Sequence, residues 1–366
     1  MKFLLITSLS LLLFLNPISA HIFPNVSSIP SWLNKTTCAW DQFKKLKGCR
    51  PGDRFNGLSN LKTYLNRFGY IPSSPNFTDL FDPLLQSALK TYQTNFNLNA
   101  TGLLDDQTLA QIQLPRCGIP DIINNSTSMN SGQPTGRQSP HFHSVSHYSF
   151  FPGRPIWPAH RRDLTYAFAP ENPLSNEVKA VFARAFARWA AVTPLTFSAV
   201  ESFRSADIRI GFYAGDHGDG EPFDGVLGTL AHAFSPPSGH FHLDGDESWV
   251  VSGDLRSAPL AAIDLESVAV HEIGHLLGLG HSSVEESIMF PTITSRTRKV
   301  DLAADDINGI QELYGGNPNG NLSPPSSSTT PSVQEREMSR NGAAPRPLRF
   351  WWSPVLIAAV ELFLMR

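Results

Sequence analysis

The chain is poor in cysteine, nearly balanced in charge and without any apolar run of bilayer length. Its 366 residues hold 3 Cys, Cys38, Cys49 and Cys117, and an odd count excludes complete pairing within one chain. Cys38 and Cys49 are close enough in sequence to form the disulfide, which leaves Cys117 as a free thiol or an intermolecular partner. A net charge of −3 and the absence of any Lys/Arg block argue against a phosphate-binding surface and a nucleic-acid partner. The longest apolar stretch near the C-terminus, Pro354 to Met365, is broken by Glu361. As a helix it would reach only ~18 Å across a bilayer core of ~30 Å, so it cannot span. No internal repeat is present. A hydrophobic content of 41% suits one or two globular domains with a real core.

Both ends carry processing signals. Residues 1–20 combine Lys2, the apolar run from Phe3 to Leu15 and the small-residue end Ile18-Ser19-Ala20, the pattern of a secretory signal peptide. Sequons at Asn25, Asn34, Asn76, Asn99, Asn124 and Asn125, with another at Asn321, would meet the glycosylation machinery on that route. Near the other end, Asn341-Gly342-Ala343 precede a spacer with Arg346 and Arg349 and then the short apolar tail. That order fits a removed GPI-anchor signal over 342–366 with Asn341 as the attachment site, the alternative being a tail that only touches a membrane. The expected location is the extracellular side of the plasma membrane.

Apolar spacing divides the interior. Leu61, Tyr64, Leu65 and Phe68 follow a helical period, as do Leu85, Ala88, Leu89, Tyr92 and Phe96, and a third short segment covers Asp106 to Gln113. Residues 57–114 therefore form a small all-α three-helix unit, which resembles the peptidoglycan-binding-like module of several secreted hydrolases. Residues 124–158, rich in Ser, Pro, Gly and His, read as an exposed linker open to proteolytic nicking. From Asp163 the texture is mixed: a strand at Leu164 to Phe168, a helix capped by Ser175 with its face from Val178 to Trp189, and a strand at Asp207 to Phe212. Further strands are expected at Leu230 to Phe234 and His242 to Val250, with helices over Leu265 to Leu277 and Asp306 to Tyr314. Residues 159–316 thus make one α/β domain, and 317–341 are a low-complexity linker.

The densest chemistry is HEIGHLLGLGH, His271 to His281. Histidines four apart share one helix face, so His271 and His275 can bind one Zn²⁺. Glu272 is rotated by about 100° and stands beside the metal, placed to take a proton from an activated water. Gly278 can end the helix with a positive φ and turn the chain so that His281 becomes the third ligand. Three neutral histidines leave a fourth position open, as catalytic zinc sites do.

With Ser287-Ile288-Met289-Phe290-Pro291, this segment resembles the signature and methionine turn of the metzincins, in which Met289 would lie under the zinc ligands. Leu114-Pro115-Arg116-Cys117-Gly118-Ile119-Pro120-Asp121 resembles the cysteine switch of the matrixins, the matrix metalloproteinase family. That resemblance implies a latent zymogen: Cys117 on the catalytic zinc, Arg116 paired with Asp121, and activation by a protease that cuts within 124–158. It implies a fold with a twisted mixed sheet and three helices behind the all-α prodomain, and a propeptide covering 21–158. His217, Asp219, His232 and His242 sit in HGDGEPFDG, LAHAF and HLDGDESW, which match the matrixin pattern for a structural zinc. The same match implies a calcium held by Asp224, Asp244 and Glu247 with backbone carbonyls from Gly225 to Gly228. Asp207 would serve a second calcium in the family, but the loop Pro236 to His240 is shorter here and lacks the expected aspartate. VSHYSFFPG and SRTRKVDL look most like plant matrixins, and Ile293 replaces a tyrosine usual in animal specificity pockets.

The implied function is a secreted zinc endopeptidase acting on extracellular proteins or peptides as a monomer and using two zinc ions and calcium. Its rival is a non-catalytic surface protein that binds cell-wall polymer through the N-terminal module.

Overall fold

The computed structural model describes residues 40–318 except 75, 125, 126, 128, 130–132 and 135–144. The signal peptide, Cys38, the linker from 319, Asn341 and the anchor signal lie outside the described residues, as do the sequons at Asn25, Asn34, Asn125 and Asn321. Asn76, Asn99 and Asn124 are exposed. No described helix is long and apolar enough to cross a membrane.

The chain forms six helices: α1 (Leu58–Arg67), α2 (Pro83–Asn95), α3 (Asp106–Ile112), α4 (Asn176–Val192), α5 (Leu265–Leu276) and α6 (Ala304–Tyr314). The strands are β1 (Arg116–Cys117), β2 (Gln133–Pro134), β3 (Val145–Ser146), β4 (Tyr148–Phe150), β5 (Asp163–Phe168), β6 (Thr196–Ala199), β7 (Ile208–Tyr213), β8 (Thr229–Ala233), β9 (His240–Asp244), β10 (Ser248–Val250), β11 (Ala262–Asp264) and β12 (Leu279–Ser282). Six of them make one mixed sheet in the order β1-β8-β9-β7-β5-β6. All its pairings are parallel except β8 with β9.

Two cores follow from the apolar spacing. The larger joins the sheet to α4 and α5. Ser175 caps α4 by accepting from the Val178 N–H at 3.3 Å, and the apolar stripe from Val178 to Trp189 lies against the sheet. Phe182 meets Phe212 and Phe241 edge-on, and Phe186 stacks on Tyr166 at 4.4 Å. The indole of Trp189 donates to the Val270 carbonyl at 2.8 Å, fixing α4 to α5 with its polar edge satisfied. The smaller core packs α1, α2 and α3 around Leu61, Leu65, Tyr92 and Phe96. Phe290 of the larger domain also packs against it, with its ring edge-on to Phe96 at 5.6 Å.

Several expectations need correction. The strand placed over His242 to Val250 is two strands, β9 and β10, and the second pairs with β11 outside the main sheet. The break has a local cause: the Asp244 carboxylate accepts from the Asp246 N–H at 2.9 Å, and the Gly245 N–H donates to Tyr213, folding a turn there. The C-terminal part of the supposed linker is only partly exposed. Tyr148, Ser149 and Trp157 are buried, because β4 pairs antiparallel with β12 and the Ser149 hydroxyl donates to the His281 carbonyl at 2.6 Å. Helix α6 starts at Ala304, two residues before the expected Asp306. Seven of the described strands, β1, β2, β3, β4, β6, β11 and β12, were not anticipated.

Gly278 behaves as its position in the sequence requires. It follows α5 with φ of 103°, and a Cβ there would lie 2.4 Å from the Pro155 carbonyl oxygen. The Gly278→Ala variant is therefore expected to lose ~1–3 kcal/mol of stability from backbone strain and the close approach. Urea unfolding of the purified protein checks this, and a midpoint equal to wild type would contradict it.

Candidate functional site

Helix α5 begins at the cap Asp264, whose carboxylate accepts from Ser267 N–H at 2.9 Å and also pairs with Arg298. Every residue of α5 is buried, including His271, Glu272 and His275. Gly274 allows this closeness: a Cβ there would meet the Met289 sulfur at 2.3 Å. Met289 is fully buried beneath the helix, where the methionine turn was expected.

The three histidines converge. His271 Nδ1 donates to the Ile288 carbonyl at 2.6 Å, and His275 Nδ1 to the Leu279 carbonyl at 2.8 Å. His281 Nδ1 lies 2.8 Å from the Asp121 carboxylate. Carbonyl and carboxylate oxygens only accept, so each Nδ1 carries the proton and each Nε2 presents a lone pair. Those lone pairs face one another: the Nε2 atoms of His271 and His275 are 3.1 Å apart, and His281 Nε2 is buried with no hydrogen-bond partner. Burial holds the imidazoles of all three below their ordinary pKa, that is, neutral, with Asp121 opposing the trend at His281.

The fourth donor comes from the prodomain. β1 lies between two segments of the larger domain. Arg116 N–H donates to Gly228 and Gly118 N–H to Ala231 on the β8 side, while Cys117 N–H donates to Pro291 on the other. This delivers Cys117 Sγ to 3.4 Å from His275 Nε2. The sulfur and the three imidazoles offer donor atoms all within 4.8 Å of one another, a set that could hold one metal ion. Burial first, and the charge of Glu272 second, push the Cys117 thiol well above its usual pKa. A thiolate there needs a cation beside it, which is the donor chemistry of zinc.

Arg116 is fully buried with its guanidinium 3.5 Å from the Phe68 ring centre and 2.7 Å from Asp121. Against the upward push of burial, Arg116 and His281 hold the Asp121 carboxyl down to about 2. Tyr70 donates to the second Asp121 oxygen at 2.8 Å. The expected Arg116–Asp121 pair is thus present, and Asp121 has a further role that sequence reasoning missed, since it also anchors His281. Glu272 lies on α5 with both carboxylate oxygens buried and unpartnered, and burial raises its pKa to about 8. Asp306 is another residue missed. It accepts from the Ser287 hydroxyl, from Ile288 N–H at 2.8 Å and from Met289 N–H at 3.2 Å, so it shapes the turn beneath the histidines. Its only sequence signal was its place in the first turn of α6.

His217, Asp219, His232 and His242 form a second group. One oxygen of Asp219 lies 2.9 Å from His217 Nε2, 2.8 Å from His232 Nε2 and 2.8 Å from His242 Nδ1. Burial lowers His232 and His242 to about 4, so these rings are neutral donors at neutral pH. Four ligands with no open position suit a structural ion.

Asp224, Asp244 and Glu247 are gathered at the turn that breaks β9 from β10. Asp224 accepts from Thr229 N–H, Asp244 from Gly225 N–H and Glu247 from Leu227 N–H. Burial, then neighbouring carboxylates, raise Asp244 to about 7 and push Glu247 well above its usual range; one Glu247 oxygen is buried without a partner. Such a group is unfavourable alone and suits a hard divalent cation. Asp207 has its oxygens taken by Arg161 at 2.7 Å and Thr165 at 2.8 Å; like Asp224, Asp244 and Glu247, it joins no group of converging metal-type donor atoms among the described residues. Cys49 is a buried free thiol among the described residues, so the pairing with Cys38 falls outside them.

A donor-lined cleft carrying an unpartnered glutamate, with a mixed sheet behind it, defines a metal-dependent hydrolase. Comparison with known proteins narrows this. Residues 156–315 match the matrixin peptidase family, and residues 56–112 match a putative peptidoglycan binding domain. The chain is 60% identical to metalloendoproteinase 2-MMP of Arabidopsis thaliana over 89% of each sequence. It is 55% identical to metalloendoproteinase 5-MMP of the same plant over 100% of this chain and 99% of the relative. With metalloendoproteinase 1 of Glycine max it shares 49% identity over 82% of this chain and 96% of the relative. The chain belongs to the matrixin family of zinc-dependent metalloendopeptidases.

The carboxylate group generates a pH prediction. An Asp244 whose folded pKa is raised contributes stability that is complete below the unfolded value of about 3.9 and is lost as pH rises through about 7. Chelator-treated protein should therefore lose stability between those limits, and added Ca²⁺ should remove the loss. Thermal unfolding across pH checks this, with Asp244→Asn expected to flatten the profile.

Proposed function

We propose that the chain is a secreted, latent endopeptidase in which Cys117 blocks the catalytic centre until the prodomain is cut away. The observation that carries this reading is the convergence of Cys117 with His271, His275 and His281. His271, His275 and His281 would hold the catalytic zinc, which supplies Lewis acidity and lowers the pKa of water. Its fit rests on the buried, unpartnered His281 Nε2 and on Nδ1 acceptors that leave all three Nε2 lone pairs free.

Glu272 acts as general base: it takes a proton from the attacking water and returns it to the leaving amine. Its carboxylate oxygens are buried without a hydrogen-bond partner of good geometry, and the Cys117 thiol that acts on them would leave with β1. Departure of β1 frees the edge of β8, where an extended peptide can pair through backbone hydrogen bonds. Cleavage within 124–158 by an activating protease would begin that release. His217, Asp219, His232 and His242 would hold a structural zinc, and Asp224, Asp244 and Glu247 with carbonyls of Gly225 to Gly228 a calcium. The leader and the tail after Asn341 would deliver a monomeric enzyme to the outer face of the plasma membrane by a GPI anchor, where extracellular proteins or peptides are its substrates.

Two variants test the reading. In the activated enzyme, Glu272→Gln should lower kcat/KM for a peptide by ~10²–10⁴-fold while zinc content persists. In the uncut precursor, Cys117→Ser should give peptide cleavage where wild type gives none. Full activity in the first variant, or continued latency in the second, contradicts the mechanism.

A further inference from the structure

Beside the metal centre, a pocket opens between α5 and the segment that follows Met289. Its walls include Leu230, Val268, Ile288, Pro291 and Ile293, with Glu272 at one side. Glu272 has to reach the leaving nitrogen, so the residue that carries this nitrogen lies on the same side. The pocket therefore takes the substrate side chain that follows the scissile bond.

Within those apolar walls stands one cation, Lys299. Its backbone N–H donates to the Ser267 hydroxyl at 2.8 Å, which fixes its position against the first turn of α5. Its ammonium donates to the Glu285 carbonyl at 2.6 Å and lies 5.4 Å from the Phe290 ring centre. No carboxylate among the described residues pairs with it. Asp306, Glu285 and Glu286 act on it only through space, and burial outweighs them, lowering its pKa to about 8. Lys299 is half-buried, and its ammonium, which reaches solvent and has one carbonyl partner, retains donors for a further acceptor. With no ion-pair partner of its own, that ammonium favours an oxygen acceptor, and most of all a charged one. Lys299 also borders a second cavity, shared with Gln111 and Leu114 of the prodomain. It stands in the wall between the two spaces, where the end of a long side chain would arrive.

We propose that Lys299 is a specificity-determining residue whose ammonium receives the oxygen-bearing end of the side chain after the scissile bond. The enzyme then accepts glutamine and glutamate there together with leucine, instead of apolar residues alone. The inference rests on the protease reading above and deepens it by naming a substrate class.

A peptide series identical except at that residue (Leu, Met, Gln, Glu or Lys) tests it with the activated enzyme. Wild type should cut the Gln and Glu peptides within about tenfold of the Leu peptide, whereas a pocket without Lys299 leaves their polar ends unpaired and rejects them. Lys299→Met should lower the Glu/Leu ratio of kcat/KM by at least about tenfold, and Lys299→Glu should favour Lys over Glu. The readout is a ratio within one enzyme, so a general loss of active protein cancels. Wild-type rejection of both Gln and Glu by more than about 100-fold relative to Leu overturns the proposal without any variant. An unchanged Glu/Leu ratio in Lys299→Met also overturns it while leaving the protease reading intact. A zinc-loaded wild type that cuts no peptide in the series overturns both.

Discussion

Three imidazole lone pairs aimed at one another are an unfavourable arrangement unless something positive lies between them. Everything near the centre enforces that arrangement. Ile288, Leu279 and Asp121 each occupy an Nδ1, and none can give a proton back. Met289 closes the space beneath, and Asp306 holds the backbone that carries Met289. The folding energy of the surrounding core, with Trp189 fastened to α5, offsets the cost of holding these groups ready. Catalytic potential and structural strain thus share one origin.

The prodomain answers the same constraint from outside. It brings a buried sulfur to the histidines and a buried Arg116–Asp121 pair to steady the loop that carries it. An ion pair taken fully out of water is a weak source of stability by itself, but removing one partner is expensive. The position of Cys117 therefore depends on the whole loop staying in register between β8 and Pro291, and β1 supplies that register with only two residues.

Much of this was legible in the sequence, and the parts that were not share a reason. The helices announced themselves through apolar period, caps and the glycine after Leu277. The grouping of His271, His275 and His281 followed from their spacing, and the geometry brings the three rings together. The break after Asp244 was hidden because HFHLDGDESWV keeps strand-forming residues on both sides of a turn stabilised by its own aspartate. Strand β1 was hidden because two residues carry no periodicity. The links from Asp121 to His281 and from Asp306 to the methionine turn were beyond reach for a different reason: each joins elements that only the tertiary fold makes neighbours. Lys299 belongs with them, since a lysine in SRTRKVDL gives no sign that it will line a pocket beside α5.

One anchor of the three histidines has an unusual owner. Ile288 and Leu279 belong to the matrixin domain, whereas Asp121 lies before it in the chain and would leave with the proposed propeptide. Removal of the propeptide, as proposed, would therefore take away more than a plug. It would also withdraw the support behind His281, so the freed enzyme would need a replacement neighbour, or a water, for that ring in the same step that first admits solvent.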